Sequence, residues 1–370
     1  MGGAAMVAGI SRPADLLADG KRRKYAVSVL GDTHFDTEPE SVYHSHYDES
    51  NPWAKVQHAE FRRNGEMWRE RCPAMLAASA KLADRHPTDF ILQLGDIIQG
   101  DCDHVPTHRK MLDDCIRMLR APYPSKMPFL TVMGNHDFRG KGARKAYLDF
   151  AEPFMAKEIG KLNGASRARV KYPVFSFRYG GDEWIFCNFE TKKGLGAVCD
   201  LVEGAKTARH VFLVSHGPFT AHAATSSPRW RLAGSRECEA VRRRLYEALS
   251  RRHAIVISGH MHTTSFYRHE NESGGFSEVT VNSVWMAPEL ATATPFHSSP
   301  AEYDVPAKKV NPKALADYQR EISFFKSGIK EYFCGRGAGH YRLNVSDGEV
   351  SMEFYPGDAD RAARKFVLKS

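Results

Sequence analysis

The stretch Gly134–Asp137, with the sequence Gly-Asn-His-Asp, constrains the fold most strongly, because it directly follows the apolar run Pro128–Met133. The run is short and is entered through a Pro-rich segment, which predicts a buried strand. A strand that ends in Gly and three polar side chains presents those side chains at the carboxyl edge of its sheet, where open α/β sheets bind ligands. Taken alone, the four residues fit a turn as well as a site.

Four more apolar runs end in the same way, and each predicts a short strand that leads directly into Gly, Asp or His. The runs and the residues after them are Tyr25–Leu30 with Gly31-Asp32-Thr33-His34, Phe90–Leu94 with Gly95-Asp96, His210–Ser215 with His216, and Ala254–Ser258 with Gly259-His260-Met261-His262. Each cluster alone can be explained as a turn or a loop cap. Five of them at five strand ends are hard to obtain by chance, so together they predict a site.

The order of the predicted elements indicates an α/β fold. Apolar residues at helical spacing predict helices over Gly65–His86, Thr107–Arg120, Ala143–Gly160, Arg236–Arg252 and Ala314–Lys326. Strand and helix alternate in the first half, which is typical of parallel crossover units. The second half predicts hairpins and a second sheet, from Val174–Tyr179 with Glu183–Phe189, Thr264–His269 with Phe276–Trp285, and a C-terminal hairpin that turns at Asp347-Gly348.

The pattern predicts one domain over residues 25–370. Residues 1–24 predict a leader that is either poorly ordered or the remnant of an export signal, so the compartment stays open. The segments Phe35–Arg63 and Pro288–Pro312 show no sustained period and predict long loops.

The composition is typical of a soluble protein with a large core. The 370 residues are 42% hydrophobic, and no apolar stretch has the length of a membrane span. The seven cysteines include no Cys-x-x-Cys pair, which disfavours a thiolate zinc site and predicts small core residues. The net charge of +8 favours anionic substrates such as phosphate esters and does not require a nucleic-acid partner.

The five clusters contain seven candidate metal ligands. They are Asp32, His34, Asp96, Asn135, His216, His260 and His262. Carboxylate, imidazole and amide ligands without sulfur favour divalent Mn, Fe, Co, Ni or Zn. Seven ligands exceed what one ion needs and match two ions if one carboxylate bridges them.

In order and spacing, the clusters resemble the calcineurin-like metallophosphoesterases, whose pattern is DxH, GD, GNHD or GNHE, a single His, and GHxH. The match runs from Asp32 to His262. The resemblance implies a two-sheet β-sandwich flanked by helices, in the order α-β-β-α, with a dinuclear site at the sheet edges. It implies the following roles: Asp32, His34 and His262 bind the first metal, Asn135, His216 and His260 bind the second, Asp96 bridges them, and His136 is a non-ligand near the leaving group that Asp137 orients.

Such a site hydrolyses a phosphate ester. On this expectation, two ions about 3.5–4 Å apart would lower the pKa of a water held between them, and the resulting hydroxide would attack phosphorus directly. The ions are expected to be Mn²⁺, with Fe or Zn as alternatives. Protonated His136 is expected either to stabilise charge on the phosphoryl oxygens or to protonate the leaving group. Arg139 is a candidate phosphate clamp, and a solvated loop arginine is its structural alternative.

The sequence departs from the patterns of two groups within the family, and these departures reduce the range of expected substrates. Gln99 stands where purple acid phosphatases have a tyrosine, three residues after Asp96, which disfavours a ferric–tyrosinate site. The stretch Gly95–Gly100 also lacks the Asp-Arg-Gly ending of the Ser/Thr protein phosphatases. We therefore expect a small phosphodiester or phosphomonoester as substrate. A nuclease of the same fold and a catalytically silent binding scaffold are the alternatives, although a scaffold usually loses ligands and none is missing here.

The remaining candidates are weaker. We expect the histidines outside the motifs to lie in surface loops or at the rim of a pocket. They include His44, His46, His58, His104 and His108. Aromatic and charged residues of the two long loops are candidates for contacts with the leaving group, namely Tyr43, Tyr47, Trp53, Phe296 and Asp304.

Overall fold

A computed structural model describes residues 22–36, 43, 50, 54–102, 104–189, 191–221, 231–284, 295–305, 312 and 315–369. The first 21 residues of the predicted leader lie outside this range. Within the described residues, no helix is both long and apolar enough to cross a bilayer.

The described residues form fifteen strands and seven α-helices. The strands are β1 (Tyr25–Leu30), β2 (Phe90–Gln93), β3 (Phe129–Thr131), β4 (Ser166–Lys171), β5 (Val174–Tyr179), β6 (Asp182–Cys187), β7 (Val211–Ser215), β8 (Ile255–Ser258), β9 (Thr264–Asn271), β10 (Gly274–Thr280), β11 (Pro295–His297), β12 (Ile329–Gly335), β13 (Gly339–Val345), β14 (Val350–Pro356) and β15 (Arg364–Lys369). The helices are α1 (Ala54–Glu70), α2 (Cys72–Arg85), α3 (Val105–Arg120), α4 (Ala143–Gly160), α5 (Thr191–Gly204), α6 (Glu239–Arg252) and α7 (Leu315–Lys326).

The strands form two sheets. The first has the order β15-β14-β13-β1-β2-β3, in which β1, β2 and β3 are parallel and the C-terminal hairpin pairs antiparallel with β1. The second has the order β11-β12-β9-β10-β8-β7-β6-β5-β4, with parallel pairing from β6 through β7 and β8 to β10. This is the predicted two-sheet α/β architecture.

Alternation along the strands builds two hydrophobic layers. In β7, Phe212 and Val214 join the core between the sheets, whereas Val211 and Leu213 join the core beneath α5, α6 and α7. The other helices cover the outer face of the first sheet, where α2, α3 and α4 pack. Both faces of the central strands are therefore buried, which explains why their sequences are continuously apolar.

Most predicted elements are confirmed to within a few residues, and the exceptions have physical causes. The predicted loop Phe35–Arg63 is wrong in its second half, because α1 begins at Ala54. The predicted helix Gly65–His86 is instead two helices that meet at Arg71, where Pro73 starts the second. In Pro288–Pro312, the described part contains β11 and a short 3₁₀ helix, Pro300–Glu302. The elements β4, α5, β12 and β15 were not predicted.

The carboxyl ends of the parallel strands in both sheets meet at one edge. His216 follows β7 in the second sheet, and its Nδ1 donates to the carbonyl of Leu94 after β2 in the first sheet, at 2.8 Å. Within the first sheet, the amides of Thr33 and His34 donate to the carbonyl of Asp96 at 3.0 and 2.8 Å. Hydrogen bonds to backbone carbonyls thus hold the predicted site loops together before any ligand is considered.

Candidate metal centre

The predicted metal ligands converge in one buried cluster at this edge. Three groups of side chains each offer ligand atoms that all lie within 4.8 Å of one another. The groups are Asp32, His34 and His262; Asp96, His216 and His260; and His34, Asp96 and His136. The first two match the predicted sets for the two metals, apart from the amide of Asn135. The third includes His136, which we predicted to be a non-ligand.

The first group lies at the solvent side of the cluster. His262 Nε2 is 2.9 Å from Asp32 Oδ2 and 3.1 Å from His34 Nε2. The other oxygen of Asp32 accepts a hydrogen bond from the backbone amide of His260 at 3.0 Å. Asp32 and His34 are buried, whereas the His262 side chain is 31% exposed. A ligand can therefore reach this group from the His262 side.

The second group centres on His216. Its Nε2 lies 3.1 Å from Asn135 Oδ1, 3.1 Å from His260 Nδ1 and 3.2 Å from Asp96 Oδ2. Because Nδ1 donates to the carbonyl of Leu94, it carries the hydrogen, and Nε2 of the neutral ring has a lone pair. Asn135 thus joins the second group, as predicted from its place in the motif.

Asp96 lies between the two groups. Its Oδ2 is 3.2 Å from His216 Nε2 and 3.6 Å from His34 Nε2, and its Oδ1 accepts from the amide of His136 at 2.7 Å. This position fits the bridging role implied by the family resemblance, which stays a prediction.

The backbone at the ligands is unusual. His34, Asp96, His260 and His262 have positive φ angles between 40° and 69°. This left-handed conformation costs a non-glycine residue about 1–2 kcal/mol, and such strain is concentrated at functional sites. Gly134 packs directly against Asp96: a Cβ atom at this position would lie 2.1 Å from Asp96 Oδ1, so a larger residue does not fit.

The cluster is incomplete without a cation. Asp32 Oδ2 is buried and lies 2.9 Å from His262 Nε2, but it accepts no hydrogen bond within the described residues. The lone pair of neutral His216 Nε2 faces two oxygen acceptors, an arrangement that is repulsive unless a proton or a metal ion lies between them. An N/O donor set without sulfur suits divalent first-row transition metals. The residues present therefore fit the divalent metals that the family implies.

The protonation states in the metal-free site follow from burial and charge. Burial lowers the pKa of His34 well below its usual value and that of His260 to about 3, so both rings are neutral and able to bind a metal. Burial also lowers the pKa of His216, but the charges of Asp96 and Asp32 outweigh it and raise that pKa to about 9. A proton on His216 thus takes the place of a cation.

His136 lies within 4.8 Å of ligand atoms of His34 and Asp96, and its hydrogen-bond partner differs from the predicted one. Its Nδ1 donates to the backbone carbonyl of Gln99 at 3.0 Å. The prediction that Asp137 orients His136 is wrong, because the Asp137 carboxylate accepts from the backbone amides of Ile98 and Gly134, at 3.2 and 2.8 Å. Asp137 therefore holds the site loops together. Burial, with the charge of Asp96, raises its pKa to about 8, and burial lowers the pKa of His136 to about 4.

Arg139 extends along the His136 ring. Its Nη1 lies 3.0 Å from His136 Nδ1 and 3.1 Å from Nε2, and its Nη2 is paired with Asp101 at 2.7 Å and Glu60 at 3.2 Å. The side chain is 26% exposed. Arg139 is thus held at the site by two carboxylates, unlike the solvated arginine considered as its alternative.

Sequence reasoning missed three polar residues around the cluster: Glu60, Asn64 and Gln99. Gln99 was noted only as the replacement of a tyrosine, yet its Oε1 lies 3.2 Å from His34 Nδ1. Glu60 and Asn64 lie one helical turn apart on α1 and both bind the Gln99 amide. A stripe of polar residues spaced three and four apart was the available signal, but the segment was interpreted as a loop.

Several weaker candidates lie elsewhere. His108 is buried, with its Nε2 3.0 Å from the carbonyl of Asp137, so its prediction as a surface or rim residue is wrong. His104 is exposed and His58 half-buried. His44 and His46 lie outside the described residues. All seven cysteines are buried and free, which confirms their prediction as core residues.

The proposed leaving-group contacts are also corrected. Tyr43 is buried, and its hydroxyl donates to Asp114 at 2.6 Å, so it does not face a substrate. Asp304 is paired with Lys326 in an exposed contact. Tyr47, Trp53 and the side chain of Phe296 lie outside the described part of the chain.

Comparison with known proteins agrees with this geometry. The model of the family described as calcineurin-like phosphoesterase matches residues 26–264, which include all seven predicted metal ligands. No curated protein matches the chain in sequence.

Solved structures share the fold at low sequence identity. The Plasmodium protein GAP50, described as the anchor in the inner membrane complex, has a TM-score of 0.50 and 14% identity over 93% of this chain and 88% of its own. PhoD has a TM-score of 0.50 and 11% identity over 94% and 69%. The purple acid phosphatase PPD1 from yellow lupin seeds has a TM-score of 0.50 and 10% identity over 93% and 53%.

Proposed function

Because this chain belongs to the calcineurin-like phosphoesterase family and is therefore a metal-dependent hydrolase, we propose that it hydrolyses a small phosphodiester or phosphomonoester at a dinuclear site. The observation that carries the proposal is the arrangement of two ligand groups on either side of Asp96. We propose Asp32, His34 and His262 as ligands of one ion and Asn135, His216 and His260 as ligands of the other, with Asp96 shared. Manganese is the expected metal, with iron or zinc as alternatives.

Two divalent cations held there would lower the pKa of a water and neutralise charge on the phosphoryl group. The chain itself fixes the geometry for that chemistry. The hydrogen bond from the His216 ring to the Leu94 carbonyl joins the two sheets beside Asp96, and burial excludes bulk water from the inner side chains. Electrostatic interactions in such a buried site are stronger than in water.

His136 is proposed to act on the substrate. With Nδ1 bonded to the Gln99 carbonyl, its Nε2 is the nitrogen available to an oxygen of the phosphoryl or leaving group. Burial lowers the pKa of His136 to about 4 in the metal-free protein, so the ring is neutral at pH 7. An anionic phosphoryl group beside it raises that pKa, because a nearby opposite charge favours the imidazolium form. Substrate binding thus prepares the ring to donate a proton.

Arg139 is proposed to bind a phosphoryl oxygen. Its guanidinium already lies against the His136 ring, and two carboxylates hold it there. Arginine suits this role because its planar group can donate two hydrogen bonds to a phosphate.

The test combines metal analysis with a substrate panel. Elemental analysis of the purified protein should give two metal ions per chain after supplementation. Small aryl phosphoesters and nucleotides should be cleaved efficiently, while plasmid DNA and a folded phosphoprotein are cleaved poorly. One ion per chain would contradict the dinuclear site. Efficient cleavage of plasmid DNA would favour the nuclease alternative, and two bound ions without any hydrolysis would favour a binding scaffold.

A further inference from the structure

One face of α1 lies against the loops that carry the metal cluster. The polar residues of this face are spaced three and four apart, so they lie on the same side of the helix. Their contacts are Gln57 with Asp101 at 2.8 Å, Glu60 with Gln99 at 3.1 Å and with Arg139 at 3.2 Å, Asn64 with Gln99, and the indole N–H of Trp68 with the carbonyl of Thr33 at 2.7 Å. Polar contacts thus connect α1 to the loops after β1, β2 and β3.

The side-chain amide of Gln99 is the link between α1 and His34. Its Oε1 accepts a hydrogen bond from Asn64 Nδ2 and lies 3.2 Å from His34 Nδ1, while its Nε2 donates to Glu60 Oε2 at 3.1 Å. Reversing the amide would place two donors against each other at Asn64. It would also turn the amide oxygen towards the Glu60 carboxylate. The surrounding groups therefore specify one orientation of the amide.

This orientation determines the tautomer of His34. Because Gln99 Oε1 is an acceptor, the hydrogen of the neutral ring lies on Nδ1 and donates to it. Nε2 keeps its lone pair and faces Asp96, at 3.6 Å, and His262, at 3.1 Å. An acceptor behind a metal-binding imidazole fixes the ring orientation and increases the basicity of the ligand nitrogen.

Glu60 makes a second contact that reaches the phosphate side of the site. The oxygen that accepts from Gln99 also lies 3.2 Å from Arg139 Nη2, and Arg139 lies along the His136 ring. Glu60 thus connects a metal ligand with the residues proposed to contact the phosphoryl group. Among the described residues, the clusters of histidine and carboxylate side chains that could hold a metal do not include Glu60.

We infer that Gln99 and Glu60 are positioning residues for two parts of the site. Gln99 holds His34 in the tautomer that binds the first metal, and Glu60 holds both the Gln99 amide and the Arg139 guanidinium. This inference rests on the proposed function, since it requires metal in the cluster. It predicts that a helix whose residues touch neither metal nor phosphate controls the affinity for both.

The experiment measures metal affinity in the full-length chain, independently of turnover. Metal-free protein is titrated with Mn²⁺ in competition with a chromophoric chelator, and the first ion is identified with His262→Ala, which removes a ligand of that ion only. We expect Gln99→Leu to weaken binding of the first ion about 10–100-fold and to change the affinity for the second ion by no more than about threefold. Glu60→Ala should weaken the first ion less and raise the KM for a small phosphoester. The control Glu66→Ala, at an exposed position of the same helix, should change neither.

The outcomes separate positioning from folding and from function. Equal weakening of both ions in Gln99→Leu would mean general damage and would overturn the inference, as would unchanged affinity for the first ion. If Gln99→Leu does not fold, the metal affinity of Glu60→Ala, at a partly exposed position, tests the inference instead. Imidazole ¹⁵N spectra of the metal-free wild type must in addition show His34 protonated on Nδ1. Wild-type protein that binds two ions without hydrolysing phosphoesters would overturn the proposed function and leave the positioning inference intact.

Discussion

Two buried polar clusters lie between the sheets at opposite ends of β1, and they differ in how their hydrogen bonds are satisfied. At the amino end, Asp182 accepts from the Tyr25 hydroxyl at 2.7 Å, from Arg209 Nε and Nη2 at 2.8 and 2.7 Å, and from the amide of His210 at 3.1 Å. Trp184 completes this amino-end cluster by donating to the Tyr25 hydroxyl. Each carboxylate oxygen has donors, and one charge balances the other.

The carboxyl end shows the opposite arrangement. Asp32 Oδ2 has no hydrogen bond within the described residues, and nitrogen and oxygen atoms of the predicted ligands face one another at about the distance at which a cation could join them. Burying polar groups without partners costs free energy, so a chain retains such a cluster where something else binds it. The comparison teaches that burial of charge alone does not indicate a site. Buried acceptors that lack donors and converge on one point do indicate a site.

Removing a ligand at the carboxyl end should have the largest effect on function. Asn135→Ala or His260→Ala should lose the second metal and nearly all turnover, because each removes a ligand atom that lies 3.1 Å from His216 Nε2. Elemental analysis and phosphoesterase assays measure both effects. Retention of two ions by either variant would contradict the assignment of the second ligand group.

His136→Ala should affect rate without affecting metal content. The variant should keep both ions and lose about 10²–10⁴-fold in turnover, which is the usual contribution of general acid–base catalysis. Because His136 also lies within 4.8 Å of His34 and Asp96, metal content is the decisive measurement. A variant that loses an ion would show that His136 is a ligand.

At the amino end, the same kind of substitution should affect stability instead. Asp182→Asn leaves Arg209 without its buried charge partner, and such a loss typically costs about 3–5 kcal/mol in the free energy of unfolding. Urea denaturation measures this loss. Each folded molecule should still bind two metal ions and turn over at the wild-type rate; a loss of metal with unchanged stability would remove the distinction between the two ends.

Metal affinity should depend on pH through His216. Its pKa of about 9 in the metal-free site means that a metal ion must displace a proton at any lower pH. The apparent affinity should therefore increase about tenfold per pH unit from pH 6 to 8 and level off above pH 9. Calorimetry in buffers of different ionisation enthalpy should detect about one released proton at pH 7. No proton release would show that His216 is neutral in the metal-free site.

The smallest effect is expected where the amino-end cluster reaches solvent. Arg209 Nη1 also contacts Asp347 at 3.0 Å, but the Asp347 side chain is 62% exposed. Surface ion pairs contribute little because solvent screens them. Asp347→Asn should leave the melting temperature unchanged within error, in contrast to Asp182→Asn. A large decrease would mean that Arg209 depends on both partners.

The carboxyl end was largely predictable from sequence, and the reason is local. Each ligand directly follows an apolar run, so the boundary between strand and loop locates it without knowledge of the tertiary structure. Contacts between distant segments were not predictable. On the buried face of α1, Asn64 and Gly65 lie between Phe61 and Trp68 and interrupt the apolar stripe that identifies a helix. The partner of His136 was missed because it is a backbone carbonyl, which no residue type reveals.

The pairing of β1 has a consequence for how the chain is made. This strand, which leads into Asp32 and His34, lies between β2 and β13, and Tyr25 pairs with Val345 near the other end of the sequence. During synthesis, one edge of β1 remains unpaired until β13 leaves the ribosome, and exposed strand edges promote misassembly. Pairing across such a long separation is also slow. Damage to the β13–β14 hairpin should therefore reduce the yield of folded protein rather than the chemistry of each molecule that succeeds in folding.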